Sequence, residues 1–159
     1  MKPSLYLETT IPSYLVSRPS RDVVVAARQE ITRQWWEGRK ADFRIVVSQV
    51  VLDEAAVGDR EAAAKRLSVL KAFPLLTLND EVVSLAEDIL RSRVLPRKAA
   101  RDAAHIAVSA VHAVGFLLTW NCAHLANAEM FPLVEKICLS AGYKCPVICT
   151  PDELLGGEQ

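Results

Sequence analysis

The 159-residue sequence has no surplus of either charge: lysine plus arginine and aspartate plus glutamate each number 19. That balance excludes the simplest nucleic-acid signature, a strongly basic domain, and leaves room for a local basic patch beside an acidic site. Long apolar runs are missing too. None approaches the roughly 20 residues that span a bilayer. The opening stretch MKPSLYLETTIPSYL does not read as a signal peptide, because Glu8 and Pro12 interrupt its apolar run. Glycine is scarce, and its six copies form neither G-x-G-x-x-G nor a P-loop. Repeats, long linkers and low-complexity tracts are absent. Four cysteines, Cys122, Cys138, Cys145 and Cys149, show no paired C-x₂-C spacing for zinc. Without an export signal they read as reduced thiols, and a cytoplasmic location is expected.

What is present suits a globular core: 51% hydrophobic and 24% charged residues. The length fits one domain, expected over 1–155 with a frayed tail at 156–159. Short apolar runs at 4–7, 43–48, 74–78, 116–119 and 146–149 alternate with helical patterns. That alternation predicts an α/β fold around a parallel sheet of about five strands. Helices are expected over 21–38, over 49–57 with Ser48 as cap, and after Asp59. Further ones are expected from Asn79 or Asp80, over 98–114 until Gly115, over 129–141, and over 151–155 behind a Thr150–Pro151 start.

Functional groups in an open parallel sheet collect beyond the carboxyl ends of the strands. Glu8, Thr9 and Thr10 follow the first run, Asp53 and Glu54 lie on the helix after the second, and Asn121 follows the fourth. Asp102 sits in the first turn of the 98–114 helix, beside its apolar stripe. A carboxylate at such an edge is costly without a partner, and several together call for a cation. Oxygen ligands of this kind suit Mg²⁺ or Mn²⁺. Each residue also has a plainer reading: Glu8 as a helix cap, Asp53 or Glu54 as solvated helix residues, Asp102 as a first-turn acid, Asn121 as a turn residue.

Four segments in order, LYLETTIPSYL, SQVVLDEAAVG, DAAHIAVSAVHAVG and LLTWNCAHL, resemble the motifs of the PIN-domain family, which includes the VapC-type toxins of toxin–antitoxin pairs. Glu8 falls on that family's first acidic position with Thr9 beside it, Glu54 on the second, Asp102 on the third and Asn121 on the fourth. The resemblance covers residues 4 to about 149. It implies a three-layer α/β/α sandwich and metal-dependent hydrolysis of RNA phosphodiesters. Glu8, Glu54, Asp102 and Asn121 would be the metal and catalytic residues, Thr9 would orient a ligand or the attacking water, and Mg²⁺ or Mn²⁺ would be the cofactor. An antitoxin and a second copy of the chain are the implied partners. Two departures stand out: Glu8 replaces the usual aspartate, and Asn121 replaces a carboxylate. They imply weaker metal binding and keep open an alternative, a catalytically weak or inactive PIN-like module that binds RNA or protein.

The basic run of Arg91, Arg93, Arg97, Lys98 and Arg101 leads up to Asp102. Arg97, Lys98 and Arg101 are the candidate RNA contacts, and a solvated helix end is the other reading. Cys122 and His124 could suggest a thiol nucleophile with its base, though no orienting acid is apparent. His105 and His112, seven apart, read as packed or surface residues. Trp35 and Trp36 fit either an interface or the core.

Overall fold

The structure, a computed structural model, describes residues 1–156. All but the first residue of the expected tail therefore lies outside the described residues. Each of the five apolar runs contains a strand: β1 (Ser4–Leu7), β2 (Arg44–Ser48), β3 (Leu75–Leu76), β4 (Phe116–Leu118) and β5 (Val147–Cys149). They form one all-parallel sheet in the order β3-β2-β1-β4-β5. β3 is much shorter than the expected 74–78. Its ladder ends at Leu76 because the paired residue, Ser48, is the last of β2. The central strands are covered on both faces: Leu5, Tyr6, Leu7, Val47, Leu117 and Leu118 are fully buried.

The helices are α1 (Thr10–Val16), α2 (Val23–Gly38), α3 (Gln49–Ala55), α4 (Arg60–Leu70), α5 (Asp80–Arg91), α6 (Ala100–Val111) and α7 (Phe131–Ser140). α6 packs on α5 and β4, while α1 packs on α2 and α4, giving a three-layer α/β/α sandwich. No described helix is long and apolar enough to cross a membrane.

Local chemistry sets most boundaries. Asp22, Asp59 and Asn79 accept from the backbone N–H groups of Val25, Ala62 and Val82 at 2.9, 3.0 and 3.0 Å, capping α2, α4 and α5. Asn79→Ala is expected to cost about 1 kcal/mol, read as a lower urea midpoint with an unchanged slope. At the C-terminal end, Thr150 and Glu153 form a capping box over the 3₁₀ turn Pro151–Leu154.

Three expectations need correction. Ser48 occupies the N-cap position of α3, but its hydroxyl makes no cap bond and instead meets the Tyr6 hydroxyl at 2.7 Å. The 98–114 helix begins as a 3₁₀ turn over Arg97–Ala99 and ends at Val111. It closes through Ala113 at φ 54 before Gly115 is reached. Reading Glu8 as a helix cap implies a helix after β1, and α1 is that helix, but Thr9 holds its N-cap position and makes no side-chain cap bond. Its Pro12 lies in the first turn, where a missing N–H is tolerated.

The sheet order carries the functional consequence. From β1 the chain builds outward through β2 to β3, then crosses back to place β4 on the other side of β1 and β5 beyond it. The carboxyl ends of β1 and β4 therefore flank a topological switch point, where open α/β sheets bind their ligands.

Candidate functional site

Glu8 is the first residue after β1, and its backbone N–H still bonds the Leu118 carbonyl of β4 at 3.1 Å. The ladder thus carries the side chain into the switch point, where it is only 3% exposed. Its Oε2 accepts from the Thr10 N–H at 2.9 Å, the Thr10 hydroxyl at 2.5 Å and the Thr119 hydroxyl at 2.9 Å. Oε1 accepts from none of the described residues. Thr10 and Thr119 also tie the two strand ends together, since Trp120 N–H donates to Thr10 Oγ1 at 2.8 Å and Thr119 donates to Glu8, while Asn121 N–H donates to Thr119 Oγ1 at 2.9 Å within the segment after β4.

Glu54 projects from α3. Its Oε1 accepts from Thr9 Oγ1 at 2.9 Å and from His105 Nε2 of α6 at 2.5 Å. Glu8, Glu54 and His105 each offer a ligand atom, all within 4.8 Å of one another, and this buried group could hold a metal ion.

Electrostatics separate the two carboxylates. Burial pushes the Glu8 carboxyl above its ordinary value, against the opposing pull of the His105 charge and the Thr10 and Thr119 hydrogen bonds. Burial pushes Glu54 up as well. There the His105 hydrogen bond and charge, with Thr9 and Arg101, outweigh it and leave the carboxyl below its ordinary value. A buried carboxyl with a free oxygen beside one whose charged form is favoured is a donor set that a divalent cation fits, because the ion supplies the charge that burial withholds.

Asp102 and Asn121 form a second group rather than joining the first. Asp102 Oδ1 accepts from Asn121 Nδ2 at 3.2 Å, and Oδ2 accepts from His124 Nδ1 at 3.0 Å. The Asn121 amide oxygen, expected to face a metal or its water, accepts from the His124 N–H at 3.0 Å. The groups are linked through Thr119, which touches both Glu8 and the Asn121 backbone. They are also linked along α6, where Asp102 lies one turn before His105. Asp53 stays on the exposed side of α3, bonded to Gln49 at 2.9 Å.

No protein-family model and no curated protein matches this chain.

Sequence reasoning missed His105, Thr119 and Tyr6. The signals were there. α6 is apolar nearly all round, so a histidine within it must be buried and must find a partner. Tyr6, between Leu5 and Leu7 in a central strand, likewise needs a partner for its hydroxyl. The orienting acid absent from the Cys122–His124 reading exists, since Asp102 pairs with His124; but Cys122 Sγ lies 3.9 Å from the Arg28 guanidinium. Cys138 and Cys149 are buried on α7 and β5 as expected, and burial pushes the Cys149 thiol up to about 12.

Arg97, Lys98 and Arg101 are exposed at the start of α6 and join no salt bridge among the described residues. Arg91, by contrast, pairs with Glu87 and Asp88 at 4.0 and 3.2 Å. Arg91, Arg93 and Arg97 line an open groove of about 820 Å³ with Leu95 and Pro96.

Proposed function

We propose that this protein is a metal-dependent endoribonuclease of the PIN type, acting as the toxin of a toxin–antitoxin pair. The observation that carries the reading is the meeting of Glu8, Glu54 and His105 at the β1/β4 switch point. The motif resemblance supports it, as does the exposed cationic strip Arg97, Lys98 and Arg101 that leads into Asp102. Mg²⁺ or Mn²⁺ is the proposed cofactor, an antitoxin and a second copy of the chain the proposed partners, and the cytoplasm the proposed location.

In this reading Glu8 and Glu54 hold the ion, with Asp102 and Asn121 at its border. Held by these residues, a divalent ion would supply a more acidic water and would offset charge developing on the phosphate. The protein's own part is orientation. Thr10 and Thr119 fix the Glu8 carboxylate, Thr9 and His105 fix that of Glu54, and Asn121 and His124 fix that of Asp102. The cationic strip neutralises the RNA backbone. Purified protein is expected to cleave structured RNAs with Mn²⁺ or Mg²⁺ and to lose that cleavage in EDTA and in Asp102→Asn. Cleavage unchanged by both treatments rules out the metal mechanism.

Reversing charge at Arg97 and Lys98 together is expected to weaken RNA binding and flatten its salt dependence. Two lost phosphate contacts reduce the log–log slope by roughly 1.4 on single-stranded RNA. An unchanged slope assigns the strip to solvation only.

The engagement of Asp102 by Asn121 and His124 favours a second reading, a PIN-like module that binds RNA or protein without catalysis. RNA binding that is the same in Mn²⁺ and in EDTA, with no cleavage, selects it.

A further inference from the structure

We infer that His105 is a positioning residue for Glu54 and not a metal ligand, held in that role by Tyr6 and Ser48. The inference rests on the metal-site reading above and deepens it, because it decides which atoms are left for the ion.

An imidazole has two nitrogens, and here both are taken. Nε2 lies 2.5 Å from Glu54 Oε1, and Nδ1 lies 2.7 Å from the Tyr6 hydroxyl. A carboxylate that holds a cation has no proton of its own to donate, so in the metal-holding form Nε2 carries the proton of that contact. A protonated ring nitrogen has no lone pair for a metal. The Tyr6 hydroxyl lies 2.7 Å from Nδ1 and 2.7 Å from Ser48 Oγ, and it has one proton for two partners. With Nδ1 accepting, Tyr6 donates to the ring and Ser48 donates to Tyr6. With Nδ1 protonated, the ring donates to Tyr6 and Tyr6 donates to Ser48. Either pattern leaves Nε2–H on Glu54.

The relay is also fixed in space. Tyr6, Ser48 and His105 are each fully buried, on β1, at the end of β2 and on α6 respectively. The Tyr6 and His105 rings pack with centroids 5.6 Å apart. Three elements thus lock the orientation of a carboxylate carried by a fourth, α3. Thr9 closes the arrangement on the same oxygen, Glu54 Oε1, leaving Oε2 without a partner among the described residues. The ion then meets carboxylate oxygens and no imidazole nitrogen, a donor set for Mg²⁺ or Mn²⁺ rather than Zn²⁺. A partner that orients a ligand in this way is worth about 10–100-fold in metal affinity.

The test uses the intact chain. Long-range ¹H–¹⁵N spectra of histidine-labelled protein, without and with Mg²⁺, are expected to show His105 Nε2 protonated in both. An unprotonated Nε2, or one whose shift moves to that of a coordinated nitrogen, overturns the inference. Mn²⁺ titration of variants gives the second arm. Tyr6→Phe and His105→Ala are expected to weaken Mn²⁺ binding about 10–100-fold. His105→Gln, which restores an N–H near the Nε2 position, is expected to recover part of it. A Gln variant no better than Ala, in folded protein, contradicts the donor role. If the wild type binds no Mn²⁺, the metal reading fails, and the spectra alone still decide whether His105 donates to Glu54.

Discussion

Glu8→Gln is expected to make the protein more stable and to abolish metal-dependent cleavage. Both effects come from one cause. Glu8 is 3% exposed, and burial penalises its ionised form, so its folded-state pKa lies above the unfolded one. A group raised in this way contributes stability that is full below the ordinary glutamate value of about 4.3. That contribution is lost as pH rises through the raised folded value. At neutral pH the metal-free protein therefore lacks that contribution, because the buried carboxyl must either bear charge or take up a proton, and a glutamine avoids both. The amide oxygen can still accept from Thr10 and Thr119. The midpoint is expected to rise by roughly 2–4 °C at pH 7, the shift that about 1 kcal/mol produces in a domain of this size. The gain should vanish at pH 4, where the wild-type acid is already neutral. Cleavage should fall by more than the roughly 100-fold that loss of an outer-shell partner can cost. Glu54 runs the other way. Its folded-state pKa is lowered, so its contribution is present above about 4.3 and is lost as pH falls through that lowered value. A Glu8→Gln variant no more stable than wild type in EDTA contradicts the assignment of Glu8 as a strained, function-driven acid.

Trp35→Ala is expected to cost about 3–5 kcal/mol, whereas Trp35→Phe should cost far less than loss of ring volume alone implies. Trp35 is fully buried, and its ring packs near Phe43 and Trp36 at centroid distances of 5.9 and 6.4 Å. Its indole N–H is the one buried side-chain polar atom without a hydrogen-bond partner among the described residues. An unmet buried donor costs about 1–3 kcal/mol. Phenylalanine removes that donor while keeping an aromatic ring in place. Urea unfolding of the two variants checks the order. Equal losses would mean that packing volume alone matters at this position. The same geometry settles the interface-or-core question for the pair. Trp35 is core, while Trp36 is part-buried against Phe73 and lies under the Lys40 ammonium, 4.2 Å from the ring centroid.

Strands were legible in the sequence because a parallel sheet buried on both faces needs unbroken apolar runs such as LYL, IVV and FLL. Their ends were less so, since a strand stops where its neighbour does, and Leu76 shows that this information lies 28 residues away at Ser48. Glu8 and Glu54 were found because strand ends and the following helix turn are local features. His105 was not, because its role depends on three other elements converging on it. Pairing it with His112 by helical spacing looked along α6 rather than across the sheet; His112 instead meets the Thr77 carbonyl at 2.8 Å. Asp102 lies in the first turn of α6 and Asn121 follows β4, both local features of the sequence, but their bonds to each other and to His124 depend on the fold of the loop after β4.

The proposed function stands or falls on whether the carboxylates gathered at the carboxyl ends of β1 and α3 hold a divalent ion. Calorimetric titration of the metal-free protein with Mn²⁺ at pH 7 tests it most directly, with a Glu8→Gln, Glu54→Gln double variant alongside. Saturable binding is expected in the wild type and none in the double variant. No binding by the wild type at millimolar Mn²⁺, or equal binding by both proteins, would contradict it.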